Sequence, residues 1–112
     1  MRKIEQQAVN AMRQGVPFKS GNTQVTVKIL DGEAVANLYL FGHLIAKLDR
    51  WNDYLRLTDC GYQTVTTKSR LNAILSAFKP ACRIQQDKGI WWLQQGGHRI
   101  LWEGTHGFTV DV

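Results

Sequence analysis

The sequence predicts an α+β domain: an antiparallel β-sheet, formed as a meander of short strands, with an N-terminal helix and a second amphipathic helix near 68–78. Three observations predict this class. Apolar residues alternate with polar ones over several short segments, Gly-containing turns separate those segments, and two other stretches show helical spacing. At 112 residues, the chain is long enough for one core, so we expect a single domain over 1–112 with both helices on one face of the sheet.

The first half of the chain predicts one helix and four strands. Ile4, Ala8, Ala11 and Met12 lie close to helical spacing, which predicts a helix over Arg2–Gln14 that ends before Gly15 and Pro17. The four alternating segments that follow are joined at Asp31-Gly32, Gly42 and Trp51-Asn52-Asp53. They predict the strands Thr23–Leu30, Ala34–Phe41, His43–Leu48 (with Leu44, Ala46 and Leu48 in phase) and Tyr54–Leu57.

The second half predicts a helix and four more strands. Leu71, Ile74, Leu75 and Phe78 stand at i, i+3, i+4 and i+7, so we expect an amphipathic helix over Lys68–Phe78, with Thr67 as its N-cap and Pro80 beyond its end. Turn residues at Asp87-Lys88-Gly89, Gly96-Gly97 and Gly104 then separate four short segments. These predict the strands Arg83–Gln86, Ile90–Gln95, Arg99–Glu103 and Phe108–Val112.

Composition excludes several classes of protein. No apolar run is long enough to span a bilayer, and the first residues lack the apolar core of a signal peptide. Two cysteines make no disulfide framework, so we expect a cytoplasmic protein. The three histidines lack metal-ligand spacing, and no catalytic motif is present. We therefore expect neither an enzyme, nor a cofactor or metal site, nor a membrane partner.

The net charge of +5 is concentrated in one part of the sequence. Residues 60–86 contain four basic residues and no acidic one. Hydroxyl groups and cations at the start of the second helix suggest an anion cradle built from Thr66, Thr67, Lys68, Ser69 and Arg70, with Lys79 and Arg83 extending the basic track. The alternative is that the hydroxyls only cap the helix and the cations are solvated. We expect removal of the side chains of Lys68 and Arg70 to leave the fold intact.

Tryptophan is the second notable feature, with four in the chain. Trp91 and Trp92 are neighbours in one predicted strand and must point to opposite faces of the sheet. An exposed one near Arg99 would stack on an unpaired base or anchor a protein interface. If both faces of the sheet are covered, neither role applies.

Three segments of the sequence are similar to segments of known proteins. The run from Gly61 to Leu75 (GYQTVTTKSRLNAIL), together with Ser20–Val25 and Tyr39–Ala46, resembles segments of small accessory proteins encoded by bacteriophages. The resemblance covers the chain from the first helix to about Trp92. It implies a role in the cytoplasm of a host bacterium and supplies no catalytic residues.

Two functions follow as hypotheses. The first is a non-enzymatic module that binds DNA or RNA through the basic helix start. The second is a protein that binds and inhibits a host complex, for example a defence system. A homodimer formed through a sheet edge or an aromatic face is compatible with either one.

Overall fold

The structure, a computed structural model, describes residues 1–103 and 105–112 and confirms the α+β class. The two helices among these residues are α1 (Lys3–Gln14) and α2 (Val65–Phe78). The strands are β1 (Phe18–Ser20), β2 (Thr23–Leu30), β3 (Glu33–Leu40), β4 (His43–Asp49), β5 (Tyr54–Leu57), β6 (Cys82–Asp87), β7 (Ile90–Gln95), β8 (His98–Leu101) and β9 (Phe108–Asp111). The predicted turn at Gly104 lies outside the described residues.

The strands form two antiparallel sheets. The larger has the order β1-β2-β3-β4-β5-β9, and the smaller has the order β6-β7-β8. The chain leaves the large sheet after β5, builds α2 and the small sheet, and returns so that β9 pairs with β5. The sequence does not predict that there are two sheets. The alternation of apolar and polar residues in a strand is the same whichever sheet the strand joins.

Both helices contact the large sheet, and the core lies between these elements. α1 packs on β1, β2 and β3, while α2 packs on α1, β4 and β6. The predicted helical stripe on α2 is confirmed, since Leu71, Ile74 and Leu75 are fully buried and Phe78 is partly buried. These side chains join leucines of the middle strands in one apolar cluster, including Leu38, Leu48, Leu55 and Leu57.

A β-bulge breaks the predicted phase of β4. Leu38 pairs with Ala46 and Tyr39 pairs with Leu44, which leaves Ile45 as an extra residue without a partner of its own on β3. Ile45 is therefore buried at 2% exposure, whereas Leu44 is 38% exposed. The expectation that Leu44 faces the core with Ala46 and Leu48 is wrong for this reason.

Two side chains attach the small sheet to the rest of the molecule. Asn72 on α2 bonds to the main chain of Ile84, accepting from its N–H at 2.8 Å and donating to its carbonyl at 3.0 Å. Asn72 thereby takes the place of a neighbouring strand along the outer edge of β6. On the other side, the Trp102 Nε1–H donates to the Asp59 carboxylate at 2.9 Å.

Candidate nucleic-acid interface

The helix start is one turn earlier than the sequence predicts. Thr64 is the N-cap of α2, and its hydroxyl accepts from the main-chain N–H of Thr67 at 3.1 Å. Thr67 is therefore a buried residue inside the first turn, and its own hydroxyl lies 2.9 Å from that of Thr64. The expectation that Thr67 is the N-cap is wrong, because Thr64 presents the same capping chemistry three residues earlier.

Arg70 points into the molecule and not into solvent. Its side chain is 5% exposed, and its Nη1 lies 2.6 Å from Oε2 of Glu5 on α1. The Arg70 Nε also donates to the hydroxyl of Thr23 at 3.2 Å. The expected place of Arg70 in an exposed anion cradle is therefore wrong, because an internal carboxylate already holds its guanidinium.

Ser69 takes part in the same internal contact. Its hydroxyl donates to Oε2 of Glu5 at 2.6 Å, so Ser69 and Arg70 together attach α2 to α1. Of the five residues expected to form the cradle, only Thr66 and Lys68 are left partly exposed without a bond to Glu5. The helix start alone does not form the anion site that its sequence suggests.

The carboxyl of Glu5 has a lowered pKa. Burial by itself raises this pKa, because it disfavours the charged form. Hydrogen bonds from Ser69, the Arg2 main-chain N–H and Arg70, together with the positive charge of Arg70, outweigh burial. Glu5 is therefore ionised at neutral pH and pairs with Arg70 as a carboxylate.

The remaining predicted cations lie in two separate places. Lys79 caps the C-terminal end of α2, about 16 Å along the helix axis from Lys68 at 1.5 Å per residue. Lys68 donates through Nζ to the side chain of Gln86 at the end of β6, at 3.0 Å. Arg83 is exposed on β6. Lys68 and Lys79 therefore lie near opposite ends of α2, with Arg83 on the neighbouring strand β6.

The small sheet brings together a different set of residues. Its register places Gln94 on the central strand opposite both Arg83 and Arg99, and Trp92 opposite both Gln85 and Leu101. Directly opposite residues in antiparallel strands point to the same side, so these side chains share one face. We call it the platform face; its polar and aromatic members are Arg83, Gln85, Trp92, Gln94 and Arg99.

Arg99 lies across the indole of Trp92. The guanidinium carbon is 4.3 Å from the ring centroid, a cation–π distance, and Nη1 reaches the carboxylate of Asp87 at 3.4 Å. Asp87 and Arg99 are both exposed, so this ion pair is weak. The platform face thus presents an aromatic ring with a planar cation stacked on it.

The two neighbouring tryptophans have opposite environments, as the sequence predicts. Trp91 is buried, and its ring centroid lies 6.4 Å from that of Trp102, in the core between the two sheets. Trp91 is therefore a core residue and is not available for stacking. Trp92 is partly exposed on the platform face, and its Nε1–H has no hydrogen-bond partner within the described part of the chain. A buried indole donor normally finds a partner, so this one is a feature to be explained.

The exposed ring of Phe41, in the turn between β3 and β4, is a feature that the sequence patterns above do not predict. The turns at Asp31-Gly32, Phe41-Gly42 and Lys88-Gly89 all have two consecutive residues with positive φ, a conformation in which Asn or Asp is usual before Gly. Phe41 has φ 50° and is 69% exposed, which is unusual for a bulky residue. An aromatic residue before Gly in a two-residue turn is the signal that would have revealed it.

Phe41 borders a small cavity between β4 and the start of α2. The cavity has a volume of about 220 Å³, and its walls include Ile45 and the rings of His43 and Tyr62, which lie 4.7 Å apart. Val65, also exposed, is the first residue of α2. We call the side chains of Phe41, His43 and Tyr62, which line this cavity, the apolar patch.

Metal ligands, cysteines and membrane-spanning helices are the other features that bear on function in the described residues. Among residues 1–103 and 105–112, no three His, Cys, Asp or Glu side chains are grouped in a way that would hold a metal ion. Cys82 is buried, while the Cys60 thiol donates to the carbonyl of Leu44 at 3.0 Å. Neither helix of this part of the chain is long and apolar enough to cross a bilayer.

Comparison with known proteins identifies the family. The family described as Kyanoviridae Gp96 protein matches residues 1–110. No curated protein and no solved structure matches the chain. The chain belongs to the Kyanoviridae Gp96 family and is a phage protein, which confirms the bacteriophage origin that the resemblance implies.

Proposed function

We propose that this member of the Kyanoviridae Gp96 family binds single-stranded DNA or RNA on the platform face of its small sheet. The observation that carries the proposal is the guanidinium of Arg99 stacked 4.3 Å from the ring of Trp92 on an exposed sheet surface. Bases of unpaired nucleic acid stack on aromatic rings and on guanidinium planes, with a contribution of about 1–3 kcal/mol per base.

The chemistry around this stack fits the same ligand. Arg83 lies on the same face and supplies a second cation for the phosphate backbone, while Gln85 and Gln94 supply amide groups that pair with base edges. Asp87 is the carboxylate beside Arg99, and its exposed ion pair opens at little cost when a phosphate competes for the guanidinium. An acceptor on a bound base would satisfy the Nε1–H of Trp92, which has no partner among the described residues.

Lys68 lies beside β6 but on the side of the small sheet opposite the platform face, because Gln86, to which it bonds, pairs with the buried Trp91. Its bond to Gln86 brings the start of α2 next to the end of β6, and the first turn of α2 contains no acidic residue. A strand of nucleic acid would meet this positive helix end only where it leaves the platform face and passes over the edge of β6. Under this proposal, Lys68 and Arg83 are the residues of the basic segment 60–86 that contact nucleic acid, while Arg70 has a structural role.

Fluorescence anisotropy with labelled single-stranded DNA, single-stranded RNA and duplex DNA tests the proposal. We expect micromolar binding to the single strands that weakens steeply as salt is raised, with Arg83→Ala and Arg99→Ala each reducing the salt slope by about one unit. Arg13→Ala is the matched control, because Arg13 is also an exposed arginine near an aromatic ring, 5.7 Å from Phe78, on the distant helix α1. No salt-sensitive binding, or equal loss in all three variants, would contradict the proposal.

The apolar patch favours a second candidate function, the binding of a host protein. The observation that favours this function is the exposure of Phe41. Its side chain is 69% exposed, and its backbone has a conformation that a bulky residue rarely adopts. The cavity of about 220 Å³ beside Phe41 has room for one apolar side chain.

Phe41→Asn is the sharpest variant for this candidate. Asn-Gly suits a two-residue turn with positive φ better than Phe-Gly does, so the variant should fold at least as stably as the natural chain. A purified host protein that forms a stoichiometric complex in the presence of nuclease, loses it with Phe41→Asn and keeps it with Arg99→Ala would support an inhibitor of a host complex. A complex that is insensitive to Phe41→Asn would exclude the apolar patch.

A further inference from the structure

We propose that two copies of the chain pair through β8 to form one continuous six-stranded sheet. The pairing uses the free edge of the small sheet and does not depend on nucleic-acid binding. The other outer edge, along β6, is already occupied at Ile84, because Asn72 bonds to both main-chain groups of that residue. β8 pairs with β7 on one side, and within the described residues no strand pairs with its other side.

The hydrogen-bond pattern shows which groups this edge offers. The Trp102 N–H donates to the carbonyl of Trp91 at 3.0 Å, so the main chain of Trp102 points toward β7. Main-chain groups in a strand point alternately to its two sides, so those of Ile100 also point toward β7. The N–H and carbonyl groups of Arg99 and Leu101 therefore point outward, toward the free edge.

If a two-fold axis perpendicular to the sheet relates the two copies, one register gives hydrogen-bond partners to all four groups, the N–H and carbonyl of Arg99 and of Leu101. Strands related by such an axis are antiparallel and keep the same face, so opposite residues must have the same orientation in the pleat. With Ile100 opposite Ile100 of the second copy, each Arg99 faces the Leu101 of the other copy and exchanges both main-chain bonds with it. This register also avoids placing the two Arg99 side chains directly opposite each other.

The side chains at this edge favour pairing. Ile100 is 51% exposed and Leu101 is 49% exposed, on opposite faces of the same strand, and both would be partly covered by the second copy. Proteins protect free edges with charged side chains, and the edge strands of the large sheet carry Lys19 on β1 and Asp111 on β9. The charge of Arg99 is instead drawn away from the edge, across Trp92 toward Asp87.

The pairing would place both platform faces on the same side of one sheet. The two β7 strands would be separated by three strand spacings, about 14 Å, with a Trp92 on each. Any ligand that binds one platform face would then find a second, identical face beside it, which raises its overall affinity through a high effective concentration.

Sedimentation velocity without nucleic acid, from low micromolar to submillimolar protein, tests the pairing. We expect a concentration-dependent change from monomer to dimer in the natural chain, and a monomer at all concentrations for Ile100→Lys, because two cations would meet on the axis. Ile29→Lys is the matched control, since Ile29 is an exposed isoleucine on β2, which also has an open edge beyond its short pairing with β1. This control should still dimerise.

Amide hydrogen exchange in the natural chain gives a second readout that needs no variant. The amides of Arg99 and Leu101 should become protected as the protein concentration rises, whereas that of Ile100 should be protected throughout. A monomer over the whole concentration range would overturn the proposal. So would a dimer that survives Ile100→Lys, or one that Ile29→Lys abolishes.

Discussion

At the scale of single residues, Arg70 shows how position in the fold decides the role of a charge. In the sequence it is one of four cations in a segment without acidic residues. Its partner, Glu5, lies 65 positions away, and no local pattern connects the two. The charge that suggested an external anion is thus already neutralised inside the protein, between α1 and α2.

The buried ion pair of Arg70 predicts that two nearby cations contribute very unequally to stability. Arg70→Ala leaves the buried carboxylate of Glu5 without its ionic partner, so we expect the free energy of unfolding to fall by about 3–5 kcal/mol. Lys68→Ala removes a partly exposed side chain and should change the free energy of unfolding by no more than about 0.5 kcal/mol. Denaturant unfolding of both variants checks this, and equal stabilities would contradict the structural role of Arg70.

The Glu5–Arg70 ion pair predicts that the stability of the fold decreases in acid. The pKa of Glu5 is about 4.3 in the unfolded chain. In the native state it is lower than that. Ionised Glu5 therefore stabilises the fold above that pH, and this contribution is lost as the pH falls through the native-state pKa. Asp49, whose pKa is also lowered because hydrogen bonds from Asn52, Tyr54 and the Trp51 main chain outweigh burial, acts in the same direction.

Denaturant unfolding at neutral pH and below about pH 3 measures this contribution. Glu5→Gln should be less stable than the natural chain at neutral pH and should lose less stability on acidification. Glu33→Gln, at an exposed position on β3, is the control and should behave like the natural chain. If Glu5→Gln and the natural chain lose equal stability in acid, Glu5 does not contribute as proposed.

At the scale of elements, the sequence predicts what depends on local periodicity. The helical stripe of Leu71, Ile74 and Leu75 and most of the strand segments follow from spacing, and the structure confirms them. The bulge at Ile45 does not, because it arises from pairing between β3 and β4. The short strand β1 was missed for a similar reason: it pairs only through Phe18–Ser20, beside turn residues that conceal its alternation.

The candidate site was predicted in part at the same scale. Arg83, Trp92 and Arg99 were identified singly, from charge, from aromatic content and from the opposite orientation of Trp91 and Trp92. Their common face depends on the register of three strands, which also adds Gln85 and Gln94. Register is set by turns and by contacts with the core, so single segments do not reveal it.

The contact between α2 and β6 predicts a local effect. Asn72→Ala would remove both bonds to the main chain of Ile84 and leave these groups without their partners. We expect the free energy of unfolding to fall by about 1–3 kcal/mol and the Ile84 amide to exchange faster with solvent. Ser76→Ala, exposed on the same helix, is the control and should leave that amide unchanged. Unchanged exchange in Asn72→Ala would contradict the role of Asn72 as a substitute for a strand.

At the scale of the whole molecule, Trp102 joins the two sheets. Its ring stacks 5.0 Å from Phe108 at the start of β9 in the large sheet, and its main-chain N–H donates to Trp91 in the small sheet. The Asp59 carboxylate fixes the indole and also accepts from the main-chain N–H of Gly61 at 2.7 Å. The two sheets therefore share buried contacts, which favours unfolding as one cooperative unit.

Cooperativity between the sheets is testable with two optical probes. In the natural chain, the unfolding transitions followed by tryptophan fluorescence and by far-ultraviolet circular dichroism should coincide, because both sheets unfold together. Asp59→Ala removes the buried acceptor of Trp102, so we expect a loss of more than about 2 kcal/mol and a fluorescence transition that precedes the loss of secondary structure. Asp111→Ala, an exposed acid on β9, should keep the two transitions together. Coincident transitions and unchanged stability in Asp59→Ala would mean that packing of Trp102 against Phe108 and Trp91 is sufficient to couple the sheets.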